Sequence, residues 1–106
     1  MNAQFKKGAL ELCVLAQLAS GDMYGYELTE RISAQMQVAT GTLYLLLKRL
    51  KDEDYVTTYL QEGSEGPARK YYKLSASGRR YYDEMYDEWS MFVTQVGNLL
   101  KGRNNV

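Results

Sequence analysis

Apolar and polar positions alternate along this chain with periods that change from segment to segment. Ala9, Leu10, Leu12, Cys13, Val14, Leu15, Ala16, Leu18 and Ala19 follow one another with few polar interruptions. That spacing predicts a helix apolar on nearly all sides, which must be covered by more than one layer, from the same chain or from another subunit. Ser20-Gly21-Asp22 stops it. Leu28, Ile32 and Met36 recur every four residues, predicting a short amphipathic helix with Glu27, Arg31 and Gln35 turned outward. Leu43, Leu46, Leu47 and Leu50 then form an i, i+3, i+4, i+7 stripe, with Thr40 expected as N-cap. Thr42, Tyr44, Leu45, Lys48, Arg49 and Lys51 are expected on the opposite, solvent face.

The pattern then shortens to period two. Residues 55–60, "YVTTYL", and 69–74, "RKYYKL", are rich in β-branched and aromatic side chains, so both predict strands. Between them "QEGSEGPA" carries the only proline and two glycines, the composition of a hairpin tip. The second strand divides into one face with Lys70, Tyr72 and Leu74 and another with Arg69, Tyr71 and Lys73, and Leu74 is the expected core anchor. From Ser75 a last helix begins, with Tyr82, Met85, Tyr86, Trp89, Phe92, Val93, Val96, Leu99 and Leu100 on one stripe of period near 3.5. At roughly 25 residues it would reach about 37 Å, more than the remainder of so small a chain needs as cover.

The succession helix, helix, short turn, helix, hairpin, helix predicts an α+β fold, mostly α. It is a winged helix-turn-helix of three helices and a two-stranded wing, residues 1–74, followed by a long C-terminal dimerisation helix, residues 75–106. In such an arrangement the third helix fits the major groove of duplex DNA and the hairpin reaches its backbone.

Composition changes this picture in three ways. Formal charge sums to zero, yet the charges are segregated. Residues 40–80 carry eight cations (Lys48, Arg49, Lys51, Arg69, Lys70, Lys73, Arg79, Arg80) against five anions (Asp52, Glu53, Asp54, Glu62, Glu65). Residues 81–96 carry Asp83, Glu84, Asp87 and Glu88 and no cation. A polarised chain presents a basic face even when its average vanishes. Ten tyrosines in 106 residues supply apolar area with polar tips, as suits thin cores and sugar-phosphate surfaces. The single cysteine and the absence of histidine exclude an internal disulfide, a Cys/His metal cluster and a histidine-based catalytic triad. The acidic run of the last helix is expected to be a solvated face, so neither an enzyme nor a cofactor is expected. Glu11 and Gln17 break the first apolar run, which is too short to span a bilayer, so a cytoplasmic protein without membrane contact is expected.

Three segments, "KGALELCVLAQLASGDMYGYEL", "GTLYLLLKRL" and "GPARKYYKLSASGRRYY", resemble the PadR family of bacterial transcriptional regulators, specifically its short-tailed members. Leu45 and Ala68 occupy positions where that pattern often has proline. The resemblance implies a homodimeric regulator, a repressor in the first instance, binding a palindromic operator in double-stranded DNA. It points to Thr40, Thr42, Tyr44 and Lys48 of the third helix and to Arg69 and Lys70 of the wing as DNA contacts. It also implies a hydrophobic or phenolic effector held between subunits, near Cys13, Val14, Tyr86, Trp89, Phe92 and Val93. The alternative is a winged-helix protein-interaction module that binds no DNA.

Overall fold

The computed structural model describes the backbone of residues 3–63 and 66–104 and the side chains of 8–63 and 66–102. Its elements are α1 (Ala3–Ser20), β1 (Met23–Tyr24), α2 (Gly25–Gln35), α3 (Thr40–Asp52), β2 (Val56–Gln61), β3 (Arg69–Leu74) and α4 (Ala76–Asn104). The expected hairpin gains a third strand. β1 lies outside β3, giving the antiparallel order β1-β3-β2, with Met23 opposite Tyr72 and Tyr24 opposite Tyr71. A two-residue strand has no period to detect. It forms because burying Met23 carries the adjoining backbone onto the free edge of β3.

One apolar centre holds the layers together. Leu10, Val14, Leu15 and Leu18 of α1, Leu28 and Ile32 of α2, and Leu43, Leu46, Leu47 and Leu50 of α3 meet Met23, Val56, Tyr72 and Leu74 from the sheet. The leucine stripe of α3 is thus wholly inward, and its register pins the other face of the helix outward. The pairing of Tyr59 with Tyr71 and of Val56 with Leu74 gives the wing its register, with Leu74 and Tyr72 buried as the alternation requires.

The joint between α3 and α4 explains how the second half is fastened. After α3, the Asp54 amide donates to the Lys51 carbonyl and the Tyr55 amide to that of Leu50, a Schellman closure with Asp54 at φ +64°. The Asp54 carbonyl, freed by this reversal, accepts from the hydroxyls of Ser75 at 2.6 Å and Ser77 at 3.0 Å. Ser75 also accepts from the Gly78 amide at 3.0 Å, the N-cap bond that opens α4. Gly78 sits so close to the chain that an added Cβ would lie 2.0 Å from the Tyr55 carbonyl oxygen. From this root α4 continues for 29 residues, giving a molecule of 58 × 27 × 21 Å.

Two local expectations are corrected. Ala39, not Thr40, is the N-cap residue of α3; no side chain caps it, and Thr40 is the first helical residue. Arg49 is not on the solvent face: it leans back across α3 to Glu11 of α1.

Candidate nucleic-acid interface

The wing root and two helices converge on one side of the molecule. Because Leu43, Leu46 and Leu47 face the core, Thr40, Thr42 and Tyr44 are exposed on α3, Tyr44 to 41%. Lys48 lies one turn further and pairs with Asp52 at 3.0 Å on the open surface, a contact that contributes about 0–1 kcal/mol and yields readily to a better anion. The ring of Tyr44 rests on Gly25, where an added Cβ would stand 3.0 Å from its Cε1 and hydroxyl. Helix α3 runs unbroken through the exposed Leu45, so the absence of proline leaves its second turn regular.

Arg69 and Lys70 occupy the first two positions of β3. The Arg69 guanidinium lies over the Tyr24 ring, 4.7 Å from its centroid, and the Lys70 ammonium over Tyr72 at 5.7 Å. Among the described residues neither has a carboxylate partner, whereas Arg31, Lys48 and Arg49 each do. Tyr24, Gly25, Tyr26, Tyr44, Arg69, Lys70 and Tyr72 together line a shallow depression of about 300 Å³. Of the DNA-contact residues expected from the sequence, Tyr44, Arg69 and Lys70 meet in this depression; Thr40, Thr42 and Lys48 lie outside its lining. Residues 64 and 65 of the expected wing tip lie outside the described residues.

Tyrosines stiffen the surroundings. Tyr59 stacks on Tyr71 at 5.5 Å and 15°, Tyr71 meets Tyr24 at 5.8 Å, and Tyr24 stacks on Tyr26 at 6.3 Å and 19°. The far end of this row is tied down by the Tyr59 hydroxyl, which donates to Asp22 at 2.7 Å. That bond is the first cause of the raised Tyr59 pKa.

Behind the interface lies a polar contact that joins three helices. Glu11 of α1 is buried, 8% exposed, and its Oε1 accepts from Arg49 of α3 at 2.8 Å and from the Tyr81 hydroxyl of α4 at 3.1 Å. Arg49 also reaches Glu53 at 3.0 Å; its pKa is raised, chiefly by the hydrogen bond to Glu11. Tyr81 stacks flat on Tyr55, 4.2 Å apart, and burial, with the neighbouring Glu11 carboxylate adding to it, pushes its pKa up to about 12. Arg79 donates to the Ala19 carbonyl at 3.0 Å, a second tie between α4 and α1.

The residues expected around an effector divide. Tyr86, Phe92 and Val93 are exposed on α4, and Trp89, half-buried, meets Phe92 at 6.2 Å. Cys13 is half-buried, and burial raises its pKa. Val14 is a correction: with no exposed surface it is enclosed in its own chain's core and cannot line a cavity between subunits in this conformation. Tyr86, Val93 and Leu100 recur at seven-residue spacing, as do Phe92 and Leu99, and all five are exposed.

Sequence reasoning placed Tyr24, Gly25 and Tyr26 only as the opening of α2 and missed their part in the depression. The signal was there in "YGYE", a glycine between two tyrosines just before a helix, but only the fold brings it beside residues 69–70. The Glu11–Arg49–Tyr81 contact left one trace, a lone carboxylate in an otherwise apolar run.

No helix among the described residues is long and apolar enough to cross a membrane, and no group of three or more potential metal ligands occurs among them. Comparison with known proteins gives consistent matches. The model of the transcriptional regulator PadR-like family matches residues 14–84. The crystal structure of a PadR-like transcriptional regulator from Bacillus cereus is 36% identical, with a TM-score of 0.86 over 93% of this chain and 98% of that one. A PadR family transcription regulator from Clostridium difficile is 29% identical, with a TM-score of 0.75 over 85% of this chain and 95% of the other. A transcriptional regulator of Mycobacterium tuberculosis is 31% identical across 72% of this chain and 71% of its own length.

Proposed function

Because this chain belongs to the PadR-like family of transcriptional regulators, being a DNA-binding regulator and not an enzyme, we propose that it acts in the cytoplasm as a homodimeric repressor on a palindromic operator. The observation that supports this reading is the pair of cations, Arg69 and Lys70, which have no carboxylate partner among the described residues and lie beside the exposed face of α3. Cations left unpaired and laid over rings cost little to bring against phosphate and release counterions from the duplex.

In this reading Tyr44, Thr42 and Thr40 approach base edges and phosphates in the major groove, with Lys48 exchanging Asp52 for a phosphate, while Arg69 and Lys70 hold the flanking backbone. Dimerisation runs through α4, whose heptad-spaced apolar residues Tyr86, Phe92, Val93, Leu99 and Leu100 would otherwise remain in water. Two-fold symmetry then sets the two α3 helices about 34 Å apart, one turn of DNA. A hydrophobic or phenolic effector, stacking by Tyr86, Trp89, Phe92 and Val93 with Cys13 near by, would change the angle between subunits. Its effect on operator affinity is bounded by its differential affinity for the two states. Residues 1–74 serve in this scheme as the DNA-binding unit and 75–106 as the dimerisation unit.

The test is a gel shift with the DNA upstream of the protein's own gene at two salt concentrations, together with sedimentation equilibrium at micromolar protein. A dimer whose binding weakens steeply with salt is expected. A monomer, or binding indifferent to salt, refutes the proposal.

A further inference from the structure

We infer that the depression between α2, α3 and the wing root is a seat for a single backbone phosphate of duplex DNA, built by Tyr26 and Tyr44 with Arg69 and Lys70, and that Tyr24 positions Arg69 in it. The inference rests on the DNA-binding reading above and adds α2, which that reading did not use.

The chemistry of the lining is selective. Two cations without carboxylate partners among the described residues, and four tyrosines, Tyr24, Tyr26, Tyr44 and Tyr72, surround a space of about 300 Å³. Among the described residues no Asp or Glu side chain lines it. A phosphodiester needs hydrogen-bond donors and positive charge, and phenol hydroxyls and guanidinium N–H groups supply both. An aromatic base or a neutral apolar ligand would leave the two cations unanswered. Tyr26 is 61% exposed and Tyr44 41%, so both tyrosines remain accessible to a rod-like partner.

The second element is preorganisation. An arginine free in solution carries about 2 kcal/mol of rotamer entropy that any contact must overcome. Here Arg69 is laid on Tyr24, which stands in the row Tyr59–Tyr71–Tyr24–Tyr26. That row is anchored at one end by the bond from Tyr59 to Asp22 and backed by the pairing of Tyr24 with Tyr71 in the sheet. Gly25 admits the Tyr44 ring against the backbone at the other side. The seat therefore combines three elements, each held from behind by sheet or core.

The test uses the full-length protein and a fluorescein-labelled 20-base-pair duplex of mixed sequence, titrated by anisotropy across a series of potassium chloride concentrations. Arg69→Gln lowers the slope of log affinity against log salt by about 0.9, the loss of one counterion equivalent. Tyr26→Phe and Tyr44→Phe each weaken binding about three- to tenfold with little change in slope, since each removes a neutral hydroxyl donor. Combining Tyr26→Phe with Arg69→Gln weakens binding by less than the product of the single effects, because both act on one phosphate. Tyr24→Phe binds as the unaltered protein does, and Tyr24→Leu loses affinity without loss of slope, the signature of positioning. If the unaltered protein shows salt-dependent binding while both tyrosine-to-phenylalanine variants match it, the seat is refuted and DNA binding stands. Single effects that multiply in the double variant refute the shared phosphate. If the unaltered protein shows no salt-dependent binding, the DNA-binding reading itself fails.

Discussion

Replacing Arg49 by methionine should destabilise the protein more than replacing its partner Glu11 by glutamine, and the structure fixes the reason. Glu11 Oε1 has two partners, Arg49 at 2.8 Å and the Tyr81 hydroxyl at 3.1 Å, and its side chain is only 11% exposed. Arg49→Met keeps most of the aliphatic stem and leaves that carboxylate with a single phenol donor. Breaking a fully buried pair from one side costs about 3–5 kcal/mol. Because the Arg49 side chain is 35% exposed, water enters the gap, and the expected cost drops to about 2 kcal/mol. Glu11→Gln is milder on both counts. The amide oxygen still accepts from Tyr81, and Arg49 still meets Glu53 at 3.0 Å, so about 1 kcal/mol is expected. Urea denaturation followed by far-ultraviolet circular dichroism, at one protein concentration and neutral pH, measures both, with midpoints compared at a common slope. If Glu11→Gln costs as much as Arg49→Met, the buried carboxylate is not the group that needs its partner, and the reasoning is wrong.

Other outcomes follow from particular contacts. Tyr81 has a folded pKa of about 12 against an ordinary value of 10.0, so the native state holds its proton longer than the unfolded chain does. Its contribution is complete below pH 10 and lost as pH rises from 10 towards 12; stability against pH should fall less steeply in that window for Tyr81→Phe than for the unaltered protein, and parallel curves would refute this. Gly78→Ala drives a methyl into the Tyr55 carbonyl and should cost about 2 kcal/mol or more by denaturation. Gly25→Ala meets only the movable Tyr44 ring, so it should cost less than about 1 kcal/mol while weakening DNA binding; equal stability losses at the two glycines would contradict the distinction. Asp54→Gly, at φ +64°, should stabilise by about 0.5–1 kcal/mol, checked by the same titration.

What was legible in the sequence was whatever repeats. The leucines of α3 recur four times on one stripe, so helix, inward face and outward face followed together. The alternation of residues 69–74 gave both the strand and its buried Tyr72 and Leu74. What does not repeat stayed hidden. β1 contributes two residues, and Arg49 looks outward by periodicity yet turns to Glu11, a partner 38 positions away that only the tertiary fold supplies. Val14 was placed near an effector only by what the resemblance implies; a helix apolar on nearly all sides has no outward side to choose, and packing put Val14 inside. At the candidate interface, Arg69 and Lys70 were marked by their charge after a turn. Tyr24 and Tyr26 carried no charge to mark them, and tyrosines in this chain are too common to single out.

The length of α4 has a mechanical consequence. Fastened at its root by Ser75, Arg79 and Tyr81 and packed on the core as far as Met85, it is beyond that point a lever of about 28 Å at 1.5 Å per residue. A tilt of about 5° at that fulcrum sweeps the far tip by about 2.5 Å, and a displacement imposed at the tip returns to the fulcrum as a small rotation with a large torque. Whatever grips the distal leucines therefore acts with mechanical advantage on the joint that also carries Arg49 and α3.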